Sequence, residues 1–381
     1  MSVADRMAGK RICICTGSGG VGKTTIAAAV AIGLAARGQR VAVVTIDPAR
    51  RLASALGLEQ LGNEPRMIKP SHFARHGIEL RGELWAMMLD AKRTFDDLIE
   101  ALAPDAATRE EILANRIYQE LSSAVAGSQE FTAVAKLYEL DASGQFDAIV
   151  LDTPPSRNAL DFLDAPQRLT GFLEGRALKV LTAPTGAAAK IAARGSGIVL
   201  SALRHVTGVD LLADLSAFFL VLSGVVDGFA ERARAVDQLL GDPGTTFLII
   251  TSPEPAPVDE AIFFRRRLAD AGMPFGGLVV NRTRVLAPTE PAIDASALTA
   301  DLGGDTELAA KSLRTLRDLR ALAYRDAESL RRLAAEIDDE HPILVPQLDR
   351  EISDAAGLVI VQRFLFAEPR ESAALLSAQA F

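Results

Sequence analysis

The sequence predicts an α/β fold, a doubly wound and mostly parallel sheet with helices inserted into it. Two observations indicate this fold. Apolar runs rich in Val and Ile alternate with helical patterns along the chain, and the runs lack the apolar–polar alternation of a strand with one face in water. Strands that are buried on both faces and separated by helices form parallel sheets. With 381 residues, the chain can build one large core and a substantial subdomain.

The predicted elements follow one another from the N-terminus. The predicted strands cover residues 11–16, 41–46, 146–151, 246–251 and 277–280. Predicted helices follow the first three strands, over 22–37, over 48–57 and near 157–163. Trp85 lies in a further apolar run that is typical of a buried strand.

Two stretches interrupt the alternation of strands and helices. Residues about 90–141 hold three helical patterns, and residues about 165–240 are rich in Ala, Leu and Gly with helical periodicity. Both are predicted to be helices inserted into a single domain, 1–381, where they form one helical subdomain. Residues 283–304 contain proline, paired glycines and acidic residues, which indicates a polar loop.

Composition and charge narrow the classes of function. The net charge of −8 disfavours a nucleic-acid partner, because such binding depends on basic groups that displace counterions. Two cysteines cannot build a disulfide framework, so a reducing compartment is expected. The N-terminus lacks a signal-peptide pattern, and the most apolar later stretch, 211–226, is short for a bilayer span. We therefore expect a soluble cytoplasmic protein.

The strongest motif lies between the first predicted strand and the helix after it. Gly17, Gly22, Lys23 and Thr24 have the spacing of a P-loop. Glycines let the backbone close around phosphates and point its N–H groups at them, and the following helix adds its positive end. Lys23 is expected to reach the β- and γ-phosphates of a nucleotide, and the Thr24 hydroxyl to bind Mg²⁺. The predicted phosphate-binding residues are Gly19, Gly20, Val21, Gly22, Lys23, Thr24 and Thr25.

Two aspartates end predicted strands at the edge of the sheet where such folds bind ligands. Asp152 follows four apolar residues, which is typical of the carboxylate that holds Mg²⁺ in P-loop proteins, directly or through water. Asp47 follows the strand 41–46 and is a candidate to hold Mg²⁺ and to orient or deprotonate an attacking water. The alternative is that either aspartate only caps the next helix.

These motifs give the chain its resemblance to the arsenite-transporter ATPases and the related tail-anchored-protein targeting ATPases. Further motifs carry the resemblance over most of the chain: Asp47-Pro48-Ala49, Asp152-Thr153-Pro154-Pro155-Ser156, Gly277 to Arg282, and Val345-Pro346 followed by Glu351-Ile352. The resemblance implies a P-loop NTPase core and a dimer that uses ATP and Mg²⁺. It also implies that Asp47 polarises the attacking water and that the Asp-Thr-Pro segment senses the γ-phosphate. The base of the nucleotide would lie against Asn281, next to Arg282, and against Pro346.

One departure from the family pattern concerns Ser18. The family's P-loop carries a lysine at this position, which crosses the dimer interface to the phosphates of the other subunit, much as an arginine finger acts in trans. A serine supplies no charge. Three explanations stay open: slow hydrolysis by a homodimer, a heteromer with a paralogue that carries the lysine, or replacement by a neighbour such as Arg50.

Other family features concern metals and clients. The chain has no Cys-x-x-Cys pair, so the zinc clasp of some targeting ATPases is missing. Cys13 and Cys15 are expected to be buried core residues rather than a metalloid site. In the targeting branch, inserted helices form an apolar groove for a client's transmembrane helix. Here an apolar stripe at helical spacing either lines such a groove or fills the subdomain core: Leu211, Leu212, Leu215, Phe218, Phe219 and Leu222.

We therefore expect an ATP-hydrolysing dimeric switch that opens and closes with nucleotide and binds or hands over a client. The client would be a hydrophobic protein segment or an anion-transport partner in a membrane. One alternative is a partitioning or positioning ATPase of the same superfamily, which the lack of a basic C-terminal cluster disfavours. Another is a regulatory subunit of a hetero-oligomer that binds ATP without hydrolysing it, which Ser18 favours.

Overall fold

The strands of the structure pair into a single sheet. The structure is a computed structural model that describes residues 1–46, 51–116, 118–119, 128–153, 211–285, 294–349, 352 and 354–378. Its strands are β1 Ile12–Thr16, β2 Arg40–Thr45, β3 Arg66–Met67, β4 Glu83–Met88, β5 Ala148–Asp152, β6 Thr245–Thr251, β7 Phe275–Thr283 and β8 Ile343–Pro346. These eight strands of the described residues pair in the order β3-β4-β2-β5-β1-β6-β7-β8.

All neighbouring strands run parallel except β3, which lies antiparallel to β4 at one edge. The predicted α/β fold with a mostly parallel sheet is therefore confirmed. Every residue of β1 and β6 is buried, which explains why their apolar runs show no alternation.

The helices lie between the strands in sequence. Their bounds are α1 Val3–Arg6, α2 Lys23–Ala36, α3 Arg51–Ala55, α4 Ser71–Ala74, α5 Ala91–Leu102, α6 Ala106–Ala114, α7 Ser128–Ala142, α8 Leu211–Gly241, α9 Pro255–Asp270, α10 Ala295–Asp301, α11 Thr306–Ile337, α12 Ala355–Phe366 and α13 Pro369–Ser377. Across the described part of the chain, no helix combines the length and the apolar character that crossing a bilayer requires.

The structure corrects the loop predicted over 283–304. Ala295–Asp301 form helix α10, and residues 286–293 lie outside the described part. The Asp294 carboxylate accepts a hydrogen bond from the backbone N–H of Ser296 and caps this helix. Asp294, one of the acidic residues that indicated a loop, is thus the N-cap of a helix. The residues that follow it include Ala and Leu, which favour helix.

The chain divides into two compact units. Unit 1 comprises Met1–Met88, Ser143–Ala159 and Gly241–Phe381 and contains the whole sheet, and unit 2 comprises Leu89–Ala142 and Leu160–Leu240. Within unit 2, the side chain of Asp90 caps α5, and the Phe95 ring stacks on Phe229. The predicted single domain with insertions over 90–141 and 165–240 stays a prediction, and residues 154–210 lie outside the described chain.

Candidate functional site

The turn between β1 and α2 requires glycine at two positions. A Cβ at Gly17 would collide with the backbone carbonyl of Ile250 in β6, and one at Gly22 would collide with the amide nitrogen of Asn281. Gly22 also has a φ of 93°. As the N-cap of α2, it has no side chain to occupy the first N–H groups of the helix. The turn therefore offers backbone donors and the positive end of α2 to an anion at the carboxyl edge of the sheet.

The predicted phosphate-binding residues surround this turn with different exposures. Gly19 and Gly20 are exposed, Val21 is buried, and Thr24 and Thr25 are half-buried. The exposed pair lies where a ligand can approach the backbone. Thr24 lies in the first turn of α2, and its role as a metal ligand stays a prediction.

Lys23 begins α2 and is 6% exposed. Its ammonium donates hydrogen bonds to the backbone carbonyls of Gly17 at 2.9 Å and Ser18 at 2.8 Å. Removing a charged group from water is unfavourable unless polar partners replace the water. The carbonyls serve as such partners, and the amine lies over the turn in which phosphates are predicted to bind.

Ser18 is held against helix α9. Its side chain is buried, and its hydroxyl donates a hydrogen bond of 2.5 Å to the carboxylate of Glu260. Glu260 lies on the exposed side of α9. The P-loop position for which the resemblance implies a lysine thus holds a neutral group bonded to a carboxylate of the same chain. The sequence motif gave no signal for Glu260.

Asn281 joins the end of β7 to the P-loop. Its side-chain amide donates to the carbonyl of Val21 at 2.8 Å, and its side-chain oxygen accepts from the backbone N–H of Arg282 at 3.0 Å. Arg282 is exposed and has a φ of 58°, a conformation that is uncommon for a residue with a side chain. The contact of Asn281 and Arg282 with a nucleotide base stays a prediction. The structure adds that Asn281 supports the P-loop.

Pro346 lies at the same edge of the sheet as Asn281. It is buried at the end of β8 and pairs with Thr283 of β7. The backbone N–H of Gln347 donates to the carbonyl of Thr283 at 3.0 Å. The residues predicted to line a base site therefore lie on neighbouring strands.

Asp152 ends β5 between β1 and β2, as the sequence predicts for a metal-holding carboxylate. It is 1% exposed, and its register partners are Cys15 and Thr45. The Thr45 hydroxyl donates to the Asp152 carboxylate at 2.8 Å. Thr45 was missed at the sequence level, although a hydroxyl residue at the end of a buried strand is the available signal. The bond fixes the orientation of a carboxylate beside the P-loop strand.

Thr153, which follows Asp152, is also bound to β1. Its backbone N–H and its hydroxyl both donate to the carbonyl of Cys15, at 3.3 and 2.9 Å. The first two residues of the Asp-Thr-Pro segment are thus attached to the strand that leads into the P-loop. Pro154, Pro155 and Ser156 lie outside the described residues.

Cys13 and Cys15 are both fully buried in β1, as predicted. The pKa of the Cys15 thiol is raised well above its ordinary value, chiefly by its hydrogen bond with Cys13, then by burial, with a further contribution from Asp152. Both side chains belong to the hydrophobic core cluster, so the two cysteines are core residues.

Several of the predicted site residues belong to parts of the chain that the structure does not describe. Asp47 and Arg50 lie outside the described residues, as does Glu351. The apolar stripe that begins at Leu211 belongs to α8, but its side chains lie outside the described part of the structure. Val225, farther along α8, is buried.

Comparisons with known proteins identify related sequences. A sequence profile described as anion-transporting ATPase matches residues 10–301. An uncharacterized protein of Streptomyces coelicolor is 29% identical over 355 residues, which span 90% of this chain and 81% of that protein. ATPase ARSA1 of Chlamydomonas reinhardtii is 26% identical over 70% of this chain and 34% of its own length. ATPase GET3 of Rhodotorula glutinis is 33% identical over 42% of each chain. The chain thus matches less than half the length of these two ATPases.

Proposed function

The chain belongs to the anion-transporting ATPase family, and from this premise we propose that it binds ATP with Mg²⁺ at the P-loop and hydrolyses it. The observation that carries this proposal is the buried Lys23 amine, held at the start of α2 over a turn in which Gly17 and Gly22 admit no side chain. Such a turn leaves space for phosphate oxygens next to backbone donors and one cation.

Each residue of the site has a distinct role in this proposal. Lys23 exchanges its carbonyl partners for the β- and γ-phosphates, and the N–H groups of the turn bind the remaining oxygens. Thr24 and Asp152 hold Mg²⁺, which offsets the charge of the phosphates. Asp47, which lies two residues after the end of β2, orients the attacking water. Because Thr45 fixes Asp152, it positions the metal ligand without contacting the nucleotide.

Hydrolysis would drive a switch in a cytoplasmic dimer. Thr153 is bonded to the strand that leads into the P-loop, so a change at the phosphates can reach the segment after Asp152. We propose that this change opens and closes the dimer and hands over a client, either a hydrophobic protein segment or a membrane partner in anion transport. The buried Val225 favours a core role for at least part of α8.

Steady-state hydrolysis by the pure chain tests the enzymatic proposal. Wild type and Asp47→Asn are compared in the presence of Mg-ATP, with release of inorganic phosphate as the readout. Removing a general base or a water-orienting group should lower the rate by about 100-fold or more. If wild type is no faster than the variant, the isolated chain is not a hydrolase that uses Asp47.

The oligomer needs a separate experiment. Because Ser18 supplies no charge in trans, we propose a heteromer with a paralogue that carries the missing lysine. Native mass spectrometry of the complex from its own cells should find two different chains. A homodimer with full ATPase activity would contradict the heteromer. It would not contradict the proposed nucleotide site.

The second candidate function is a regulatory subunit that binds ATP without hydrolysing it. The hydrogen bond from Ser18 to Glu260 favours it, since this bond places a carboxylate rather than a cation beside the P-loop. The test incubates the pure chain with ATP for many times the turnover period of an active ATPase. If the bound ATP stays intact and the ATP-bound chain activates a partner, this function is supported over hydrolysis.

A further inference from the structure

A cleft that includes none of the P-loop residues lies in unit 1. It has a volume of about 600 Å³ and is lined by the residues after α3, by β3 and by α4. Two of its lining residues, Leu56 and Ile68, are buried apolar side chains. A volume of this size lies in the range of small-molecule sites. The cleft shares no residue with the predicted nucleotide site.

The charge of this cleft is opposite to that of the chain. Arg66, Lys69 and Arg75 line it together with one carboxylate, that of Glu59, so the lining carries three positive charges and one negative. The whole chain carries a net charge of −8. Among the described residues, neither Arg66 nor Lys69 forms an ion pair or a side-chain hydrogen bond. Their charges are therefore available to a ligand.

Arg75 is held in place by a neutral neighbour. Its guanidinium contacts Nδ1 of His72 at 2.7 Å and donates to the His72 carbonyl at 3.2 Å. Nδ1 must accept this bond, so the neutral ring carries its proton on Nε2. Burial, and next the charge of Arg75, lower the pKa of His72. The imidazole lies against Gly57, where a Cβ would collide with it. Arg75 is thus oriented by a neutral group, and within the described part of the chain it forms no ion pair.

The lining also includes apolar and hydroxyl groups. Met67 is 52% exposed, and Leu58, another lining residue, is half-buried. Ser71, at the start of α4, adds an exposed hydroxyl. A ligand with both a charged and an apolar part would use both kinds of surface.

We propose that this cleft binds an organic phosphate monoester, with its dianionic head on Arg66, Lys69 and Arg75 and its apolar body on Met67 and Leu58. Two negative charges match the net charge of the lining. One guanidinium group can donate two parallel hydrogen bonds to a phosphate, so two arginines and a lysine form a suitable set of donors. The residues that line the cleft begin directly after α3, and α3 itself follows the Asp47 segment in the chain. The ligand would therefore bind to the same compact unit as the nucleotide.

Calorimetric titration of the full chain with phenyl phosphate tests the site, with the P-loop filled by Mg-ADP. We expect saturable binding, weaker binding of inorganic phosphate, and no binding of phenol. A phosphate monoester can come from a lipid headgroup or from a free metabolite. Binding to vesicles of phosphatidylcholine with a minor share of phosphatidic acid distinguishes these two sources. Vesicle binding that Lys69→Gln abolishes assigns a lipid headgroup to the cleft, and binding of phenyl phosphate alone assigns a free metabolite.

Variants locate the binding and distinguish it from the P-loop. Arg66→Gln and Lys69→Gln should each weaken phenyl phosphate binding by roughly tenfold, while Arg81→Gln, an exposed cation outside the cleft, should leave it unchanged. Glu59→Gln should tighten binding, which a merely misfolded variant would not do. Lys23→Met should retain binding in the cleft even if it loses nucleotide. Equal affinities of wild type, Arg66→Gln and Lys69→Gln, or no tightening in Glu59→Gln, would overturn the proposal.

Discussion

The hydroxyl of Ser18 donates a hydrogen bond of 2.5 Å to the carboxylate of Glu260, which ties the P-loop to helix α9. The two residues are 242 positions apart in the sequence. The Ser18 side chain therefore points to α9 rather than to a bound ligand. Ser18 therefore acts as a structural tether between the P-loop and α9.

A double-mutant cycle measures this tether. Ser18→Ala and Glu260→Ala each remove one partner, and we expect a coupling energy of about 1 kcal/mol in the free energy of unfolding. Nucleotide affinity should change by less than about threefold in Ser18→Ala, because the hydroxyl is directed away from the turn. Additive effects on unfolding, or a large loss of nucleotide affinity, would contradict the tether.

Gly17 allows a sharp test of the turn. In Gly17→Ala the new Cβ meets the rigid carbonyl of Ile250, so we expect a loss of about 2–3 kcal/mol in the free energy of unfolding by chemical denaturation. Gly62→Ala is the matched control, because its Cβ meets nothing within 4 Å, and it should be neutral or slightly stabilising. Similar stabilities of the two variants would show that the turn is packed differently.

Asn281→Asp separates two roles of this side chain. The change places a carboxylate oxygen opposite the Val21 carbonyl, where the amide now donates, and the repulsion should distort the P-loop. We expect the affinities for ATP and for GTP to fall alike, by roughly tenfold, in equilibrium titrations. A loss for ATP with no change for GTP would instead assign Asn281 to base recognition alone.

The proposed role of Asp152 as a Mg²⁺ ligand is tested by the dependence of nucleotide affinity on Mg²⁺. Asp152→Asn should lose most of the gain in affinity that Mg²⁺ gives wild type, and Thr45→Val should lose part of it, because Thr45 orients the carboxylate. The readout is nucleotide titration with Mg²⁺ and with a chelator. Asp147→Asn is the control, since Asp147 precedes β5 and pairs with Arg40. A full Mg²⁺ gain in Asp152→Asn would remove this residue from the metal site.

The sequence predicted the central strands of the sheet, but not β3 and β8, because strand burial is a local signal. Every residue of β1 and β6 is buried, so their composition alone marks them as central strands. The P-loop was predictable because its signal is also local: its glycines and Lys23 lie close together in the sequence, in one turn. Helix α10 was missed because Asp294 suits both a loop and a helix cap.

The contacts around the site could not be predicted from the sequence. The bonds from Ser18 to Glu260 and from Thr45 to Asp152 join elements far apart in the chain, and their existence depends on strand register and helix packing. Periodicity shows which face of an element is buried but not which side chain it meets. The cationic cleft was missed for a related reason, because Arg66, Lys69 and Arg75 form no motif in the sequence.

Lys23→Met provides the most direct test of nucleotide binding at the P-loop. Methionine keeps the apolar stem of the side chain and removes the ammonium that now bonds to Gly17 and Ser18. In equilibrium titration with Mg-ATP, we expect wild type to bind, Lys23→Met to bind roughly 100-fold more weakly, and the control Lys10→Met, which loses a bond to the Pro243 carbonyl, to bind as wild type does. Equal affinities of wild type and Lys23→Met would contradict a P-loop nucleotide site.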